Sequence, residues 1–408
     1  MIKRYEDDAI KRAWSEESKI RFWVKILQAW AGARGDTRAA EDLGAFYEST
    51  IRSHIGAEAF LRKIDAREAE TQHDVAAFID VVALTIGGPT DRVLAYGLTS
   101  SDIVDTGMAD TINLSVDILT AKVSNLQVLV RNMANVHSGT VCVGRTHGQP
   151  ADLTTFGLKL CGFYTDLCYP REALNVEQTG MLSGPVGANT LAPRLQERDA
   201  LRELGLVRQL STSQVISRVP WAMQAKHIAT LSAILAKWAT NFRLLLHDGT
   251  SELTLTKGER EKGSSSMPHK TNPATLEKIT GMARIAEGYA RSLSDGIMMW
   301  GERDISHSSV ERIAWPDLFH TVCHQLDSFC ATLKKITVNE ETMRSNAAGC
   351  SNSYESAHGI IDRDHKTRHE AYEESRATSL AYGAHRVSHW LTLHKERIRE
   401  QVRHTTNL

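Results

Sequence analysis

Residues 319–336 read FHTVCHQLDSFCATLKKI, with apolar side chains at Phe319, Val322, Leu326, Phe329, Leu333 and Ile336. The steps between them alternate strictly between three and four residues, the spacing that keeps side chains on one narrow face of a helix. Two further stretches repeat the pattern: Leu119, Val123, Leu126, Val130 and Met133, then Ile228, Leu231, Leu235, Trp238, Phe242 and Leu245. A stripe this narrow, sustained over five or six contacts, predicts long helices packed lengthwise at a shallow crossing angle. Only 9 prolines interrupt the 408 residues. Alternating runs flanked by hairpin turns are not evident, so an all-α fold with a central bundle of long helices is expected.

Around that bundle the text divides into three. Residues 1–109 read as shorter helices, with a break at Ile86-Gly87-Gly88-Pro89-Thr90-Asp91; 110–337 carry the long-helix stripes; 338–408 turn polar and histidine-rich and close on short helical pieces such as Leu391 to Val402. Three domains are expected. The 48 Lys plus Arg balance 49 Asp plus Glu, which leaves a formal net charge of -1 and no broad basic footprint for nucleic acid or anionic lipid. No stretch approaches the ~18 apolar residues of a membrane span, and Met1-Ile2-Lys3-Arg4-Tyr5-Glu6-Asp7-Asp8 lacks the apolar core of a secretory signal. A cytoplasmic location is expected. Six cysteines without a CxxC pair predict reduced, mostly buried thiols, with no disulfide framework and no zinc site. Neither GxGxxG nor GxxxxGK[ST] occurs, so neither a nucleotide cofactor nor ATP hydrolysis is indicated.

Chemistry is concentrated in three polar segments: Gly97-Leu98-Thr99-Ser100-Ser101-Asp102, Gly144-Arg145-Thr146-His147-Gly148-Gln149-Pro150, and GSSSMPHKTNP from Gly263 to Pro273. The last closes residues 248–274, which lack helical periodicity and read as one long loop; a loop of that length inside a compact domain is commonly functional. Together the segments offer glycine-flanked amides, hydroxyls, a histidine and a lysine, a set suited to a substrate bearing carboxylates.

The run GSSSMPHKTNP resembles the signature of the fumarase/aspartase superfamily, whose members release fumarate by eliminating across a carbon–heteroatom bond of a succinyl group. Further matches are Arg4-Tyr5, Trp14-Ser15-Glu16-Glu17, Thr71-Gln72-His73-Asp74-Val75, GLTSSDIVDT (97–106), GRTHGQPA (144–151), Ser213-Gln214-Val215 and ERDISHSSVER (302–312). The resemblance runs from residue 4 to about residue 317 and is strongest to the branch that acts on succinylated purine nucleotides. It implies a three-domain, all-α carbon–nitrogen lyase. It also implies a homotetramer whose active sites are shared between chains, a small-molecule nucleotide substrate, and no cofactor or metal.

Elimination requires a base for the carbon beside a carboxylate, donors for the dianion that forms, and an acid for the departing nitrogen. By resemblance Ser264 is the base, with Lys270 favouring its alkoxide, and His147 is the acid, paired with Glu277. His73 matches a second family histidine placed near the reacting centre, where the resemblance implies either orientation or proton sharing with His147. Thr99, Ser100, Thr146, Gln214, Lys270 and Asn272 match ligands of the succinyl carboxylates, and Arg4, Tyr5, Arg303, Ser308 and Arg312 match ligands of a 5′-phosphate. Asp74 and Met267 complete the implied substrate set.

Three departures from the branch are visible. Ala95 stands where a histidine is common, the stretch after Gln214, Val215-Ile216-Ser217-Arg218-Val219-Pro220-Trp221, lacks the Arg-Asp and following histidine expected of the branch, and the carboxyl-terminal region is short and atypical. Two other readings therefore stay open: a superfamily lyase for a different succinylated amine, and a non-catalytic protein built on the same bundle.

Overall fold

The computed structural model describes residues 1–174, 176, 178–258, 267, 270–350 and 379–407, with 91, 92, 379–391 and 393 described by their backbone. Ser264 lies outside the described residues. In chain order the helices are α1 (Asp8–Ala13), α2 (Glu16–Ala33), α3 (Thr37–Phe46), α4 (His54–Thr71), α5 (Asp74–Ile86), α6 (Ser100–Val136), α7 (Phe156–Leu174), α8 (Arg194–Glu203), α9 (Arg218–Leu246), α10 (Ala274–Asp295), α11 (Ser306–Leu333), α12 (Glu340–Ala348) and α13 (Ser379–Thr406). The strands are β1 (Val141–Thr146), β2 (Gln149–Thr155), β3 (Thr179–Gly180), β4 (Val207–Arg208), β5 (Leu253–Leu255) and β6 (Ile336–Val338). The fold is all-α, and among the described residues strands are confined to three two-stranded sheets.

The three stripes lie on α6, α9 and α11, which run for 37, 29 and 28 residues. Leu119, Val123, Leu126 and Val130 are buried on α6, Ile228, Leu231, Leu235 and Phe242 on α9, and every stripe position from Phe319 to Leu333 on α11. Met133, Trp238 and Leu245 are half-buried. Ile336 leaves the pattern because α11 ends at Leu333 and the chain turns into β6. The expected break at 86–91 is the end of α5, where Gly87 adopts φ +67° and donates its amide to Ala83 O at 2.7 Å.

The chain forms two compact units, one of 1–120, 173–229 and 285–324 and the other of 121–172, 230–284 and 325–408. The first is built around Trp315, stacked on Phe319 at 5.8 Å and edge-on to Trp221 at 6.5 Å. Polar anchors fix it further: Trp14 Nε1 donates to Ser115 Oγ at 2.8 Å, and the Asp7 amide donates to His320 Nδ1 at 2.9 Å. The second is centred on Phe163, stacked on Trp238 at 4.9 Å and packed against Phe242 and Phe329. Inside its core Ser232 Oγ donates to Gln325 Oε1 at 2.6 Å, and Gln325 Nε2 donates to Ile279 O at 2.9 Å, so that both ends of the buried Gln325 amide have a partner.

Two expectations are corrected. The segment Gly144–Pro150 belongs to an antiparallel hairpin, β1 against β2, in the register Val141↔Thr155 to Thr146↔Gln149. It escapes a search for alternation because Val141, Cys142 and Val143 are all buried and the register shifts at Gly144/Arg145. Residues 248–274 are also not one uninterrupted loop, since β5 pairs antiparallel with β6, Leu253 opposite Val338. Among the described residues, no helix is long and apolar enough to cross a membrane.

Candidate active site

In the first unit the turn into α6 is held by backbone geometry. Gly97 has φ +84°, and a Cβ there would lie 2.6 Å from Leu191 O. Trp30 Nε1 donates to Tyr96 O at 2.9 Å and Arg34 to Val93 O at 3.0 Å, which fixes the approach to the turn. Thr99 and Ser100 then stand at the amino end of α6, where first-turn amides have no partner inside the helix. Asp102, fully buried, accepts from the amides of Thr99 at 2.8 Å, Ser183 at 2.8 Å and Gly184 at 3.1 Å. Burial pushes its carboxyl up to about 7 despite those three donors. Gly97→Ala is expected to destabilise the fold by about 2 kcal/mol or more, since left-handed backbone and a sub-contact distance add; a urea midpoint equal to that of the parent would refute this.

His73 caps α5. Its Nδ1 accepts the Ala76 amide at 3.4 Å and lies 3.5 Å from Asp74 Oδ1, while its Nε2 lies 3.3 Å from Ser100 Oγ. Asp74 accepts from the Val75 amide at 2.8 Å and from Arg312 Nη2 at 2.7 Å. Burial would raise its carboxyl, but the Val75 amide and the Arg312 guanidinium outweigh it and hold the group below the usual carboxylate range. Asp74 and Arg312 line a cavity of about 440 Å³ together with Trp14, Lys19, Trp23 and Met108. The unit thus brings His73, Asp74, Ser100 and Arg312 into one connected set.

A second set forms around Gln214. Its amide donates to Glu302 O at 3.2 Å, and its Oε1 accepts from Arg303 Nη1 at 3.2 Å. Ser308 follows in the first turn of α11, half-buried, with its amide donating to Ile305 O at 3.1 Å. Arg4 is exposed in a short 3-10 turn, Lys3–Tyr5, and the Tyr5 ring lies 5.0 Å from that of His324.

In the second unit Thr146 and His147 form the tip of the β1–β2 hairpin. His147 (φ +53°) and Gly148 (φ +75°) are the two turn residues between the paired Thr146 and Gln149. Two consecutive positive φ values define the type I′ turn, which matches the twist of antiparallel strands. Histidine is among the few side chains that tolerate the left-handed region, so the turn presents the imidazole to solvent at its apex. Arg145, next to the tip, reaches back to the fully buried Glu252 through two bonds of 2.6 and 3.2 Å, and Asn346 Nδ2 donates to the same carboxylate at 3.0 Å. Met267, Lys270 and Asn272 are exposed ahead of α10, with the Lys270 amide donating to Met267 O at 3.0 Å. Glu277, in the first turn of α10, lies 3.6 Å from Arg243 Nη2. Among the described residues, no hydrogen bond joins Glu277 to His147.

Sequence reading passed over three buried carboxylates behind these side chains, Asp105, Glu252 and Glu311, which pair with Arg218 and Arg145.

A protein-family model described as Lyase matches residues 1–288. The chain is 35% identical over 356 residues to an adenylosuccinate lyase of Aquifex aeolicus, covering 85% of this chain and 79% of that protein. It is 33% identical over 385 residues to an adenylosuccinate lyase of Bacillus subtilis, covering 91% and 86%. Among solved structures, a fumarate lyase from Mesorhizobium sp. superposes with a TM-score of 0.77 at 21% identity, covering 100% of this chain and 95% of that one. The 3-carboxy-cis,cis-muconate lactonizing enzyme from Pseudomonas putida superposes with a TM-score of 0.78 at 19% identity, covering 99% and 97%. At those identities the two superpositions speak to the fold.

Proposed function

The chain belongs to the lyase family, and from that premise we propose that it cleaves adenylosuccinate to AMP and fumarate and SAICAR to AICAR and fumarate in purine nucleotide biosynthesis. It is a carbon–nitrogen lyase. The observation that carries the substrate assignment is the similarity to adenylosuccinate lyases of two organisms over 85% and 91% of the chain.

The proposed chemistry follows from the bond that breaks. Ser264 takes a proton from the carbon beside one succinyl carboxylate, and the charge moves onto that carboxylate as an aci-dianion. Lys270, Asn272, Thr99, Ser100, Thr146 and Gln214 hold the two carboxylates, so that the dianion forms against donors already in place. The electron pair then closes the carbon–carbon double bond and expels the nitrogen, which receives its proton from His147. Glu277 orients that imidazole, His73 stands beside the reacting centre, and Met267 lies against the substrate. Arg4, Tyr5, Arg303, Ser308 and Arg312 bind the 5′-phosphate, with Asp74 and the cavity beside Arg312 on the nucleotide side. The contacts His73–Ser100 and Asp74–Arg312 support this grouping, and Gln214–Arg303 links its carboxylate side to its phosphate side.

The active form in this reading is a cytoplasmic homotetramer with active sites shared between chains. Apolar side chains exposed on the long helices support it: Leu114 and Val128 on α6, Met223 and Leu244 on α9, and Ile285 on α10. Ala95, in place of a histidine, favours a second reading, elimination from a different succinylated amine. An ultraviolet absorbance assay with adenylosuccinate, SAICAR and argininosuccinate, with fumarate quantified, separates the two. Release of AMP and fumarate from adenylosuccinate is the expected result; fumarate from argininosuccinate alone would overturn the nucleotide assignment.

A further inference from the structure

Arg218 opens α9 and is 3% exposed. Its Nε and Nη2 donate to the two oxygens of Glu311 at 2.7 and 3.1 Å, and its Nη1 and Nη2 to the two oxygens of Asp105 at 2.6 and 3.0 Å. Nη1 also donates to Ile216 O at 2.8 Å. Every N–H of the guanidinium is therefore used. Its plane lies over the Trp221 ring at 4.5 Å, and Asp105 Oδ2 accepts the Ile216 amide at 2.9 Å, which closes the cluster.

Stability is a weak reason to keep such a cluster. Two carboxylates and one guanidinium taken out of water pay a desolvation cost that their attraction barely repays, and apolar residues of equal volume commonly serve a core as well. Orientation is a better reason, because each partner sits in a segment that carries a proposed ligand. Asp105 lies on α6 just beyond Thr99 and Ser100, Ile216 follows Gln214 by two residues, and Glu311 stands on α11 between Ser308 and Arg312. At 3.6 residues per turn, Ser308 and Arg312 project about 40° apart on the flank next to Glu311. Turning Glu311 inward therefore sets the direction of both. Gln214 extends the chain of contacts to Arg303 and Glu302.

We infer that Arg218 is a positioning residue: by holding Asp105, Ile216 and Glu311 at once, it fixes the mutual placement of Gln214, Arg303, Ser308 and Arg312 and so sets the affinity for the nucleotide's 5′-phosphate. The inference rests on the reading of Arg303, Ser308 and Arg312 as ligands of the 5′-phosphate, with Gln214 acting here through its bond to Arg303. Lysine cannot replace the guanidinium, since a single ammonium cannot face two carboxylates and a carbonyl in one plane.

The test compares wild type with Arg218→Lys and Arg218→Met, measuring AMP binding by calorimetry alongside steady-state turnover of adenylosuccinate. In the folded variants the Kd for AMP and the KM are expected to rise together by ~10- to 100-fold, the scale of an ångström-sized misplacement, with kcat changed less than about threefold. A role in packing alone predicts variants that melt earlier but keep AMP affinity and KM within about twofold of wild type, and that result overturns the inference. A fall in kcat at unchanged KM overturns it as well. Should both variants fail to fold, Glu311→Gln keeps the shape of the cluster, removes one charge, and is read in the same way. A wild type that binds AMP without cleaving adenylosuccinate counts against the proposed function while the AMP arm still decides on Arg218; a wild type that binds no AMP overturns the positioning role itself.

Discussion

Ser264→Ala is expected to lower turnover of adenylosuccinate by ~100-fold or more, the scale of a lost general base, while AMP still binds. A serine hydroxyl removes a proton from carbon only as its alkoxide, and the proposed site favours that form through the Lys270 ammonium and glycine-adjacent amides once water is excluded. Alanine leaves size and backbone almost unchanged. The substrate should therefore bind in the same place and wait. Turnover within about tenfold of wild type, below the usual contribution of a positioned base, would remove Ser264 from the role.

His147→Asn should cost a similar factor, and the choice of asparagine follows from the structure. Position 147 has φ +53° at the apex of a type I′ turn, and asparagine is the side chain after glycine most at home there. The hairpin is kept and only the acid is lost, so a collapse in rate reports proton delivery to the leaving nitrogen. A valine at 147 would mix that loss with a broken turn. If Ser264 and His147 serve the same site from different chains, subunits of the two inactive variants, unfolded together and renatured, should regain activity that neither has alone. Failure of well-folded mixtures to regain any would count against sites shared between chains.

Much of the fold was legible because its determinants are local and repeated. The stripe on α11 needs only its own 28 residues to be read, and the break after Ile86 needs only its glycines. The hairpin was not legible. His147-Gly148 is a less familiar turn pair than Asn-Gly, and β1 shows no alternation because consecutive side chains are buried. For the candidate site, the residues facing solvent were visible in the motifs, whereas those holding them in place were not. Arg218 meets Glu311 and Asp105 across 93 and 113 residues, and Arg145 meets Glu252 across 107. A lone charge in a sequence carries no address for its partner, so the braces emerge only when the chain is folded.

The Asp102 carboxylate collects amide protons from Thr99, Ser183 and Gly184. In deuterium exchange these three should behave as one unit, for a single side-chain movement exposes them together although more than eighty residues separate the first from the other two. The loop at 183–184 is thereby tethered to the entrance of α6 through one buried acceptor, and labelling that followed two unrelated rates at these amides would show that the acceptor does not link them.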